Sequence, residues 1–453
     1  MPININRFIT KDKAFYKNLI FLALPIALQN LVSFLMTLTD SIMIGQLGER
    51  ATAGAYVGTL TFTVLQMLAT GVDSGITVAS SRYWGEKNTE KIKKIIACGI
   101  YLSLLFGVPI TVVALIYPNA LVSLFLSQRS VADGADYLRT ITPSFIPFVL
   151  SGAIGSAMRS VETPKITTLA SASAFATNLI FDYLLVFGKL GFTKLGINGA
   201  AIATVIARFA ELLILVVYVL FLDKKLKLKL RDIFYTDRET AVSFLKYTTP
   251  IVLGQAVWIV NTLFSSFLLS KVGSDSAVAA LAVASTLNSL SYIMMNGLSG
   301  AVGIIIGKTI GEGRVEKIKE YSYTTQLIFI ILGLITSAAI FFTKQPFVSL
   351  YDIGDEASKI AMQLISVLAL TIIGTSYQSA CLIGLVKSGG DVSFIFKNDA
   401  FFIFLVVIPL SVTAAKLGAP PWLIFLALKS DQLLKCIPAA IKINRFRWIK
   451  KLE

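Results

Sequence analysis

The sequence predicts an all-α membrane protein whose twelve transmembrane helices form two pseudo-symmetric six-helix bundles. Three observations lead to this prediction: the apolar composition, the number of apolar runs, and an internal repeat. The 453 residues are 55% hydrophobic and 15% charged, with a mean hydropathy of +0.75. These values are too apolar for a soluble globular protein. The composition therefore indicates a polytopic membrane protein without a soluble domain.

Apolar runs of about 20 residues, long enough to cross a bilayer, follow one another between charged or Pro/Gly-rich breaks. The first run has no small-residue cleavage site and is followed by many more, which indicates a mature span and not a signal peptide. The predicted spans, numbered 1 to 12, are 17–45, 52–82, 94–117, 133–158, 165–187, 197–222, 243–270, 276–307, 320–342, 358–386, 394–415 and 420–442.

The basic residues are distributed by loop. The chain has 41 Lys and Arg against 26 Asp and Glu, a net charge of +15. They favour one set of alternate loops by roughly three to one, as the positive-inside rule describes; Arg159 and Lys165 are placed in one of these loops. The charge thus predicts a multi-pass protein of the cytoplasmic (inner) membrane with both termini cytoplasmic, and no nucleic-acid partner.

Cysteine and histidine limit the possible chemistry. Cys98, Cys381 and Cys436 lie in or beside apolar runs, without a CxxC motif or a pairing pattern. The sequence has no histidine, so any proton chemistry falls to carboxylates and an imidazole metal site is excluded. We expect no cofactor, and only H⁺ or Na⁺ as a coupling ion.

The two halves of the chain repeat each other. GEKNTEKIKK at 85–94 returns as GEGRVEKIKE at 311–320, and Pro25 returns as Pro250. Copies six spans apart have equal orientation, so the bundles are related by an axis along the membrane normal. We predict an N-lobe at 1–222, a cytoplasmic linker at 223–242 and a C-lobe at 243–453. This is the architecture of a transporter, not of a pore or an enzyme.

Span 1 has a polar stripe that ends at Asp40. A charged residue inside a membrane span costs a few kcal/mol, so this face is expected to meet protein or water rather than lipid. The candidates for lining a substrate cavity are the other stripe residues at helical spacing and one carboxylate of span 2: Gln29, Ser33, Met36, Thr37 and Asp73.

Four polar residues of three spans are candidates for an ion site. Asp40 lies on span 1, Asn178 and Asp182 lie four apart on span 5, and Thr204 lies on span 6. Two carboxylates, an amide and a hydroxyl are hard oxygen ligands for a sodium ion, and burial favours the protonated form of a carboxyl group. A proton site and a sodium site are therefore both possible. The alternative, that the aspartates only hydrogen-bond neighbouring helices, stays open.

The second half lacks a matching carboxylate, because the counterpart of Asp40 is Ser265. Its polar mid-span residues are amides, and three are candidates for the substrate cavity: Gln255, Asn261 and Asn288. Other charged residues within the spans are predicted to form local ion pairs, Arg208 with Glu211, and Asp431 with Lys429 and Lys435.

These residues together resemble the multidrug and toxic compound extrusion (MATE) family. The resemblance rests on the Pro25 to Asp40 spacing with IGQLG after it, on G-E-x-x-x-E-K after spans 2 and 8, on the Asn178/Asp182 pair, and on GAAIAT in span 6. It covers nearly the whole chain. It implies a two-lobed antiporter of MATE/MOP type that exports organic cations and amphipathic compounds, driven by inward proton or sodium flow.

The resemblance also assigns roles. It implies that Asp40, Asn178, Asp182 and Thr204 form the ion-coupling site and that Pro25 is a hinge of span 1. One branch of the family has acidic coupling residues on spans 7 and 10, where this chain has Gln255 and the uncharged TSYQSA at 375–380. The chain is therefore more similar to the DinF-like branch. Expected partners are small cationic or amphipathic substrates and membrane lipids, with the protein as a monomer.

Two other functions were weighed. A flippase for lipid-linked oligosaccharides or lipid precursors, from the same superfamily, would need several basic cavity residues to meet a pyrophosphate, and mid-span Lys and Arg are few. A membrane enzyme such as a prenyltransferase would need paired aspartate-rich metal motifs, and the sequence has none. The antiporter remains the favoured function.

Overall fold

The computed structural model describes residues 9–47, 49–123, 128–272, 275–351 and 353–450. Within these ranges the chain is helical, and its only β contact is an isolated bridge between Gly390 and Ile449. Gly48, the last residue of the IGQLG motif, lies outside the described residues. The prediction of an all-α protein is confirmed.

Each of the twelve predicted spans corresponds to helix in the part of the chain that the structure describes. In that part, ten helices are long and apolar enough to cross a membrane. The helices of spans 1 to 12 are Lys13–Gly45, Glu49–Gly85, Thr89–Ile116, Phe145–Ser160, Pro164–Phe187, Ile197–Val217, Arg238–Val272, Asp275–Gly311, Val315–Val348, Asp355–Gln378, then Val392–Phe402 with Ile408–Lys416, and finally Pro421–Leu428, Asp431–Leu434 and Cys436–Asn444. Span 4, predicted at 133–158, also includes most of the helix Gln128–Ile141 and the short turn Thr142–Ser144, and the helix Pro118–Ser123 precedes it.

Local sequence explains where several spans begin and end. Asn88 precedes span 3, and its side chain accepts a hydrogen bond from the backbone N–H of Lys91 at 3.1 Å, which caps the helix. Pro164 opens span 5, where its fixed φ suits the first turn of a helix. Gly188 closes the same span with a φ of +68°, a left-handed conformation that glycine adopts without strain.

Besides the 3₁₀ turn Thr142–Ser144 in span 4, four further spans depart from regular α-helix. Span 6 ends in a π-helical turn at Tyr218–Leu222, and span 10 continues as a π-helix at Ser379–Val386. Span 11 has a π-helical segment at Ile403–Val407, and span 12 is broken after Leu428. The π-helical turns in spans 6, 10 and 11 are of a rare type that often lies at functional sites.

The chain folds into two compact units. The N-terminal unit is Leu28–Thr248, and the C-terminal unit comprises the described residues up to Ala27 and from Thr249 onward. The boundaries lie just after Pro25 in span 1 and just before Pro250 in span 7. These units follow packing, whereas the predicted lobes follow the sequence repeat. Spans 1 and 7 therefore each contribute a different part to each unit.

The first part of span 1 belongs to the core of the C-terminal unit. Phe15, Leu19 and Leu22 are buried in one cluster with residues of spans 8 and 10. The ring of Phe15 stacks on Tyr321 at 4.5 Å between centroids. Just before the helix, Asp12 accepts hydrogen bonds from Lys317 Nζ and from the Tyr321 hydroxyl, both at 2.8 Å.

The first part of span 7 packs in the same way within the N-terminal unit. Thr248 lies so close to Gly75 that a Cβ there would be 2.2 Å from Thr248 Oγ1. Phe244 is buried, and its ring approaches Gly99 of span 3. A core cluster elsewhere in this unit contains buried side chains of spans 2, 4, 5 and 6, among them Leu65, Val149 and Val186. The missing side chain of Gly75 is thus what lets span 7 approach span 2.

Gly374→Ala is expected to destabilise the protein. A Cβ at this position would lie 2.1 Å from the backbone oxygen of Gln432 in span 12, and backbone cannot move aside as a side chain can. We expect a loss of about 1 to 3 kcal/mol, typical of overpacking, measured as a lower apparent melting temperature. Gly254→Ala is the control, since nothing lies within 4 Å of its Cβ position. Equal melting of both variants and the wild type would contradict this packing.

Asp12→Asn is expected to lower stability in a pH-dependent way. The hydrogen bonds from Lys317 and then Tyr321 lower the pKa of Asp12 from 3.8 to about 2. A lowered pKa means that the contact stabilises the folded protein above pH 3.8 and loses this contribution as the pH falls to about 2. The difference in apparent melting temperature between wild type and variant should be present at neutral pH and shrink over that range. A difference independent of pH would refute this role of the Asp12 carboxylate.

Candidate functional site

Helical packing in the N-terminal unit brings the predicted ion site together. Met36 of span 1, Ala174 of span 5 and Ala207 of span 6 form one buried cluster. One helical turn from them lie Asp40, Asn178 and Thr204, respectively. Neighbours one turn apart share a face of a helix. The small side chains of the two alanines thus let three spans approach, and the polar residues of each meet beside that contact.

Asp40 interacts with both polar residues of span 5. Its carboxyl group acts on the Asp182 carboxyl and on the Asn178 amide, and the Arg208 guanidinium is close enough to attract it. Asn178 and Asp182 are fully buried, while Asp40 is partly buried. Thr204 is 6% exposed and lies one turn before Arg208 on span 6. Three of the four predicted ion-site residues are therefore in electrostatic contact, with Thr204 buried on the adjoining helix.

The polar atoms of this site are buried without hydrogen-bond partners among the described residues. They are one oxygen of Asp40, both oxygens of Asp182, and both polar atoms of the Asn178 amide. A buried polar group without a partner costs about 1 to 3 kcal/mol, and two carboxylates in an apolar interior cannot both stay charged without a cation. The chemistry of this set suits one proton or one small monovalent cation.

Two carboxylates are the only acidic side chains of this site among the described residues. Among the described residues, the structure has no group of three or more His, Cys, Asp or Glu side chains that could hold a metal ion. Asp40 and Asp182 are two carboxylates only, and the remaining oxygen ligands of the set are neutral. A low ligand charge of this kind favours a monovalent ion over a divalent one.

A second polar layer crosses the same unit. Arg208 Nη1 donates to Glu211 Oε2 at 2.8 Å, and Ser171 Oγ donates to Glu211 Oε1 at 2.7 Å. Gln29 joins the chain, because its Nε2 donates to Ser171 Oγ at 3.2 Å and its Oε1 accepts from Arg159 Nη1 at 3.2 Å. The predicted Arg208–Glu211 ion pair is confirmed. Spans 1, 4, 5 and 6 are thereby connected by one hydrogen-bonded chain.

Arg159 does not behave as the loop charge that the sequence predicts. It lies in the last turn of span 4, half-buried, and its Nη2 donates to Ser156 Oγ at 2.7 Å. Its long side chain reaches Gln29 of span 1, a contact that loop assignment from charge patterning could not anticipate. Asp73 of span 2 is near enough to interact with Arg159 electrostatically. It packs on the bare backbone of Gly152, where a Cβ would be 2.6 Å from Asp73 Oδ2.

The remaining cavity candidates are dispersed. Ser33 and Thr37 are exposed on span 1, and Thr37 Oγ1 donates to the Ser33 carbonyl at 3.2 Å. Met36 is 4% exposed and lies in the packed cluster described above, so its side chain is part of a core. In the C-terminal unit, Asn261 is buried with a partnerless Oδ1, and the half-buried candidates are Gln255 and Asn288.

A second charged cluster, in the C-terminal unit, was only partly predicted. Lys435 pairs with Asp431, as expected, and also with Asp399 of span 11, which the sequence analysis did not single out. The signal available was a carboxylate inside span 11, directly after Lys397 and Asn398. Lys429, predicted to pair with Asp431, makes no ion pair with the acidic residues that the structure describes, and acts on Asp431 at longer range.

The family follows from the two halves of the fold. The MatE family model matches residues 25–184 and again residues 250–413, so each match begins at one of the repeat prolines, Pro25 or Pro250. Together they cover well over half of the chain. The chain belongs to the MatE family. Membership makes it a membrane transporter and not an enzyme, as the sequence predicted.

Individual MatE relatives are distant but extensive matches. A probable multidrug resistance protein NorM from Thermotoga maritima is 22% identical over 356 residues, which is 78% of this chain and 76% of that protein. A MOP superfamily transporter from Pyrococcus furiosus, described by the reverse polarity of its binding pocket, superposes with a TM-score of 0.87 at 21% identity, covering 98% of this chain and 99% of that one. An outward-facing multidrug resistance MATE transporter superposes with a TM-score of 0.85 at 20% sequence identity. The superposition covers 96% of this chain and 99% of that one. The twelve-helix MATE fold is thereby confirmed.

Glu211→Gln is expected to destabilise the N-terminal unit. Glu211 is 6% exposed, and losing its charge leaves the Arg208 guanidinium without its ion partner inside the unit. Breaking a buried ion pair from one side costs about 3 kcal/mol, whereas replacing both partners with apolar groups costs much less. The test compares the apparent melting temperatures of the Glu211→Gln variant and of a double variant that carries Arg208→Met and Glu211→Leu. The double variant should melt nearer to the wild type than Glu211→Gln does. If the Glu211→Gln variant melts at the same temperature as the wild type, the Arg208–Glu211 pair does not stabilise the N-terminal unit.

Proposed function

We propose that this MatE protein is a secondary antiporter that exports organic cations or amphipathic drugs in exchange for inward H⁺ or Na⁺. Asp40, with Asn178, Asp182 and Thr204, would bind the coupling ion. The protein would act as a monomer among the lipids of the cytoplasmic membrane, with both termini cytoplasmic. The observation that carries the proposal is the pair of carboxylates on spans 1 and 5, in which one oxygen of Asp40 and both oxygens of Asp182 are buried without hydrogen-bond partners in the described structure.

The chemistry of this pair supports ion coupling over a purely structural role. In the interhelical contact of Ser171 with Glu211, within the same unit, both Glu211 oxygens accept a hydrogen bond, one from Ser171 and the other from Arg208. The Asp40–Asp182 pair has like charge and unsatisfied atoms, which would cost stability if it served only to hold helices together. Binding one cation or proton removes that cost. The same burial that penalises the empty site therefore supplies its affinity.

Coupling requires the ion and the substrate to oppose each other, either by competition or by preference for different conformations. Inward movement of one charge through 100 mV releases about 2.3 kcal/mol. We assign the conformational response to span 1, since Asp40 and Gln29 lie on the same helix and Gln29 contacts both Arg159 and Ser171. A change of charge at Asp40 can thus alter contacts three turns away on that helix.

Pro25 is the proposed hinge of span 1. It lies inside the helix Lys13–Gly45, where proline lacks the amide hydrogen that a regular helix donates to the carbonyl four residues earlier. The boundary between the two compact units falls directly after it, at Ala27 and Leu28. A bend at this point would move Asp40 with one unit while the first part of span 1 stays with the other.

The flippase alternative finds little support in three basic residues of the spans, because other side chains already engage them. A pyrophosphate group would need cationic side chains that are free to meet it. Arg208 is held by Glu211, and Lys435 is held by two aspartates. Arg159 is engaged by Gln29 and Ser156. Organic cations fit the carboxylates of this chain better, and the NorM relative is named as a probable multidrug resistance protein.

Asp40→Asn is expected to abolish ion-driven export without unfolding the protein. Asparagine keeps the shape of the side chain but can neither bind a proton nor offer a charged ligand to sodium. The measurement is uptake of ethidium into proteoliposomes under an imposed gradient, with monodispersity on a sizing column as the test of folding. Asp136→Asn is the matched control, because Asp136 is an exposed carboxylate of the same unit. Asp40→Asn protein with full gradient-driven uptake would refute the coupling assignment.

The coupling ion is identified in the same system. Wild-type uptake is compared under a pH gradient without sodium and under a sodium gradient without a pH difference. Both ions would use the oxygens of Asp40 and Asp182, so the gradient that drives ethidium uptake identifies the coupling ion. If neither gradient drives uptake, the antiport proposal is contradicted.

A further inference from the structure

The C-terminal unit contains a buried ammonium group between two carboxylates. Lys435 Nζ lies 2.8 Å from Asp399 Oδ1 and 3.0 Å from Asp431 Oδ2. Lys435 is fully buried, Asp431 is 1% exposed and Asp399 is 7% exposed. Spans 11 and 12 thus meet through three charged side chains that are withdrawn from solvent.

Stability alone does not account for such a cluster. Burying charges costs solvation energy that their mutual attraction often fails to recover, and apolar replacements of buried ion triads are often neutral or stabilising. Charged residues within membrane spans therefore mark functional positions by default. The cluster also carries two carboxylates for one paired ammonium. Its second nearby cation, Lys429, is not within ion-pair distance of a described acidic residue and acts on Asp431 from farther away.

One oxygen of the cluster remains open for a ligand. Asp431 Oδ1 is buried and has no hydrogen-bond partner among the described residues, whereas Asp431 Oδ2 binds Lys435 and accepts from Gln432 Nε2 at 3.3 Å. Gln432 is held by its own contact, since its Oε1 accepts from Thr375 Oγ1 at 2.8 Å. The open oxygen is thus presented by a carboxylate whose other oxygen is already engaged.

Aromatic rings complete the surroundings of the ammonium group. Lys435 Nζ lies 5.2 Å from the centroid of the Trp258 ring. Trp258 also interacts with Asp399, and Tyr292 interacts with Asp431. Carboxylates beside aromatic faces are the side chains by which proteins recognise organic ammonium ions. The environment of Lys435 is therefore the environment that an organic cation would require.

The backbone around the cluster can change shape. Span 12 is interrupted after Leu428, and Lys435 lies at the junction of the short helix Asp431–Leu434 with Cys436–Asn444. Span 11 has its π-helical segment one turn after Asp399, at Ile403–Val407. Interrupted helices in transporters commonly surround binding sites. Such a junction gives the Lys435 side chain a means of moving away from its carboxylates.

The cluster also adjoins the predicted cavity residues of span 7. Gln255, Trp258 and Asn261 are spaced three apart, so they share one face of that helix. Asn261 presents a buried Oδ1 without a partner among the described residues. A cation that interacts with Trp258 would therefore have the amides of Gln255 and Asn261 one turn away on either side.

We propose that Asp399, Asp431 and Trp258 form an organic-cation subsite of the C-terminal unit, which Lys435 fills with its own ammonium group when no substrate is bound. The inference rests on the proposed export of organic cations and names a place where the positive end of a substrate binds. Substrate and Lys435 compete for the same carboxylates. The tethered ammonium offsets one of the two carboxylate charges of the empty subsite, and its displacement sets a threshold that weakly binding cations do not overcome.

Lys435→Met tests the competition, because methionine has nearly the same length and no charge. We expect the Kd of ethidium, measured by fluorescence anisotropy on the purified full-length protein, to fall about tenfold once the internal competitor is gone. Lys359→Met, at an exposed lysine of span 10, is the matched control and should leave the Kd unchanged. Introducing Asp399→Asn into the Lys435→Met protein should reverse the gain. Folded Lys435→Met protein that binds ethidium no more tightly than wild type overturns the proposal.

A second variant keeps the test decisive if Lys435→Met does not fold. Asp399→Asn alone leaves a neutral Lys435–Asp431 pair, so the subsite loses its surplus negative charge while the lysine stays paired. Ethidium binding should weaken about tenfold, whereas Asp355→Asn, at an exposed carboxylate of span 10, should have no effect. An unchanged Kd in folded Asp399→Asn protein overturns the proposal.

These measurements separate the subsite from the proposed function. Binding is measured without any ion gradient, so it does not depend on coupling through Asp40. If wild-type protein shows no gradient-driven uptake, the antiporter proposal is wrong, but the expected changes in ethidium Kd still test the subsite. Unchanged affinities with intact gradient-driven uptake would remove the subsite and leave the antiporter.

Discussion

Charged groups inside an apolar membrane protein must find partners, and this constraint organises the molecule. Most buried charges of the described chain satisfy it: Arg208 with Glu211, and Lys435 with its two aspartates. The Asp40–Asp182 pair does not, because the two carboxylates have the same sign and their buried oxygens lack hydrogen bonds within the described structure. An unpaired buried charge is costly. This difference in pairing, more than burial itself, is the reason we propose the Asp40–Asp182 pair as the place where the coupling ion binds.

Much of this arrangement could be predicted from sequence because it depends on spacing along single helices. The spans follow from apolar length, and the repeat follows from two copies of one loop motif. Asp40 stands out as a charge in an apolar run, and the four-residue spacing of Asn178 and Asp182 places both on one face. Met36 shows where this reasoning stops. Helical spacing puts it in the polar stripe, but the two small alanines opposite it make a packed contact that spacing within span 1 cannot reveal.

The features that sequence reasoning missed all depend on contacts between distant segments. Arg159 follows the pattern of a cytoplasmic loop charge, yet its side chain reaches back along span 4 to Gln29, which charge counting does not register. Asp399 was not predicted as part of an ion pair, because its partner Lys435 lies on another span and helical spacing relates only residues of the same helix. The MatE match at Pro25 and Pro250 follows the repeat, whereas the packing boundary divides spans 1 and 7 beside those prolines. Repeats are visible in sequence; the assignment of half a helix to another unit is not.

That division has a consequence for how the chain is made. The first described residues, with Phe15 and Leu22 in their core contacts, pack against spans that are synthesised in the second half of the protein. Domains generally fold as units as they emerge from the ribosome, but the C-terminal unit cannot close until both ends of the chain are present. The start of span 1 must therefore wait in the membrane for its partners, while the N-terminal unit needs only the beginning of span 7. Assembly of this protein should therefore depend on the order in which its spans are synthesised. The start of span 1 should be among the last segments to reach its final packing.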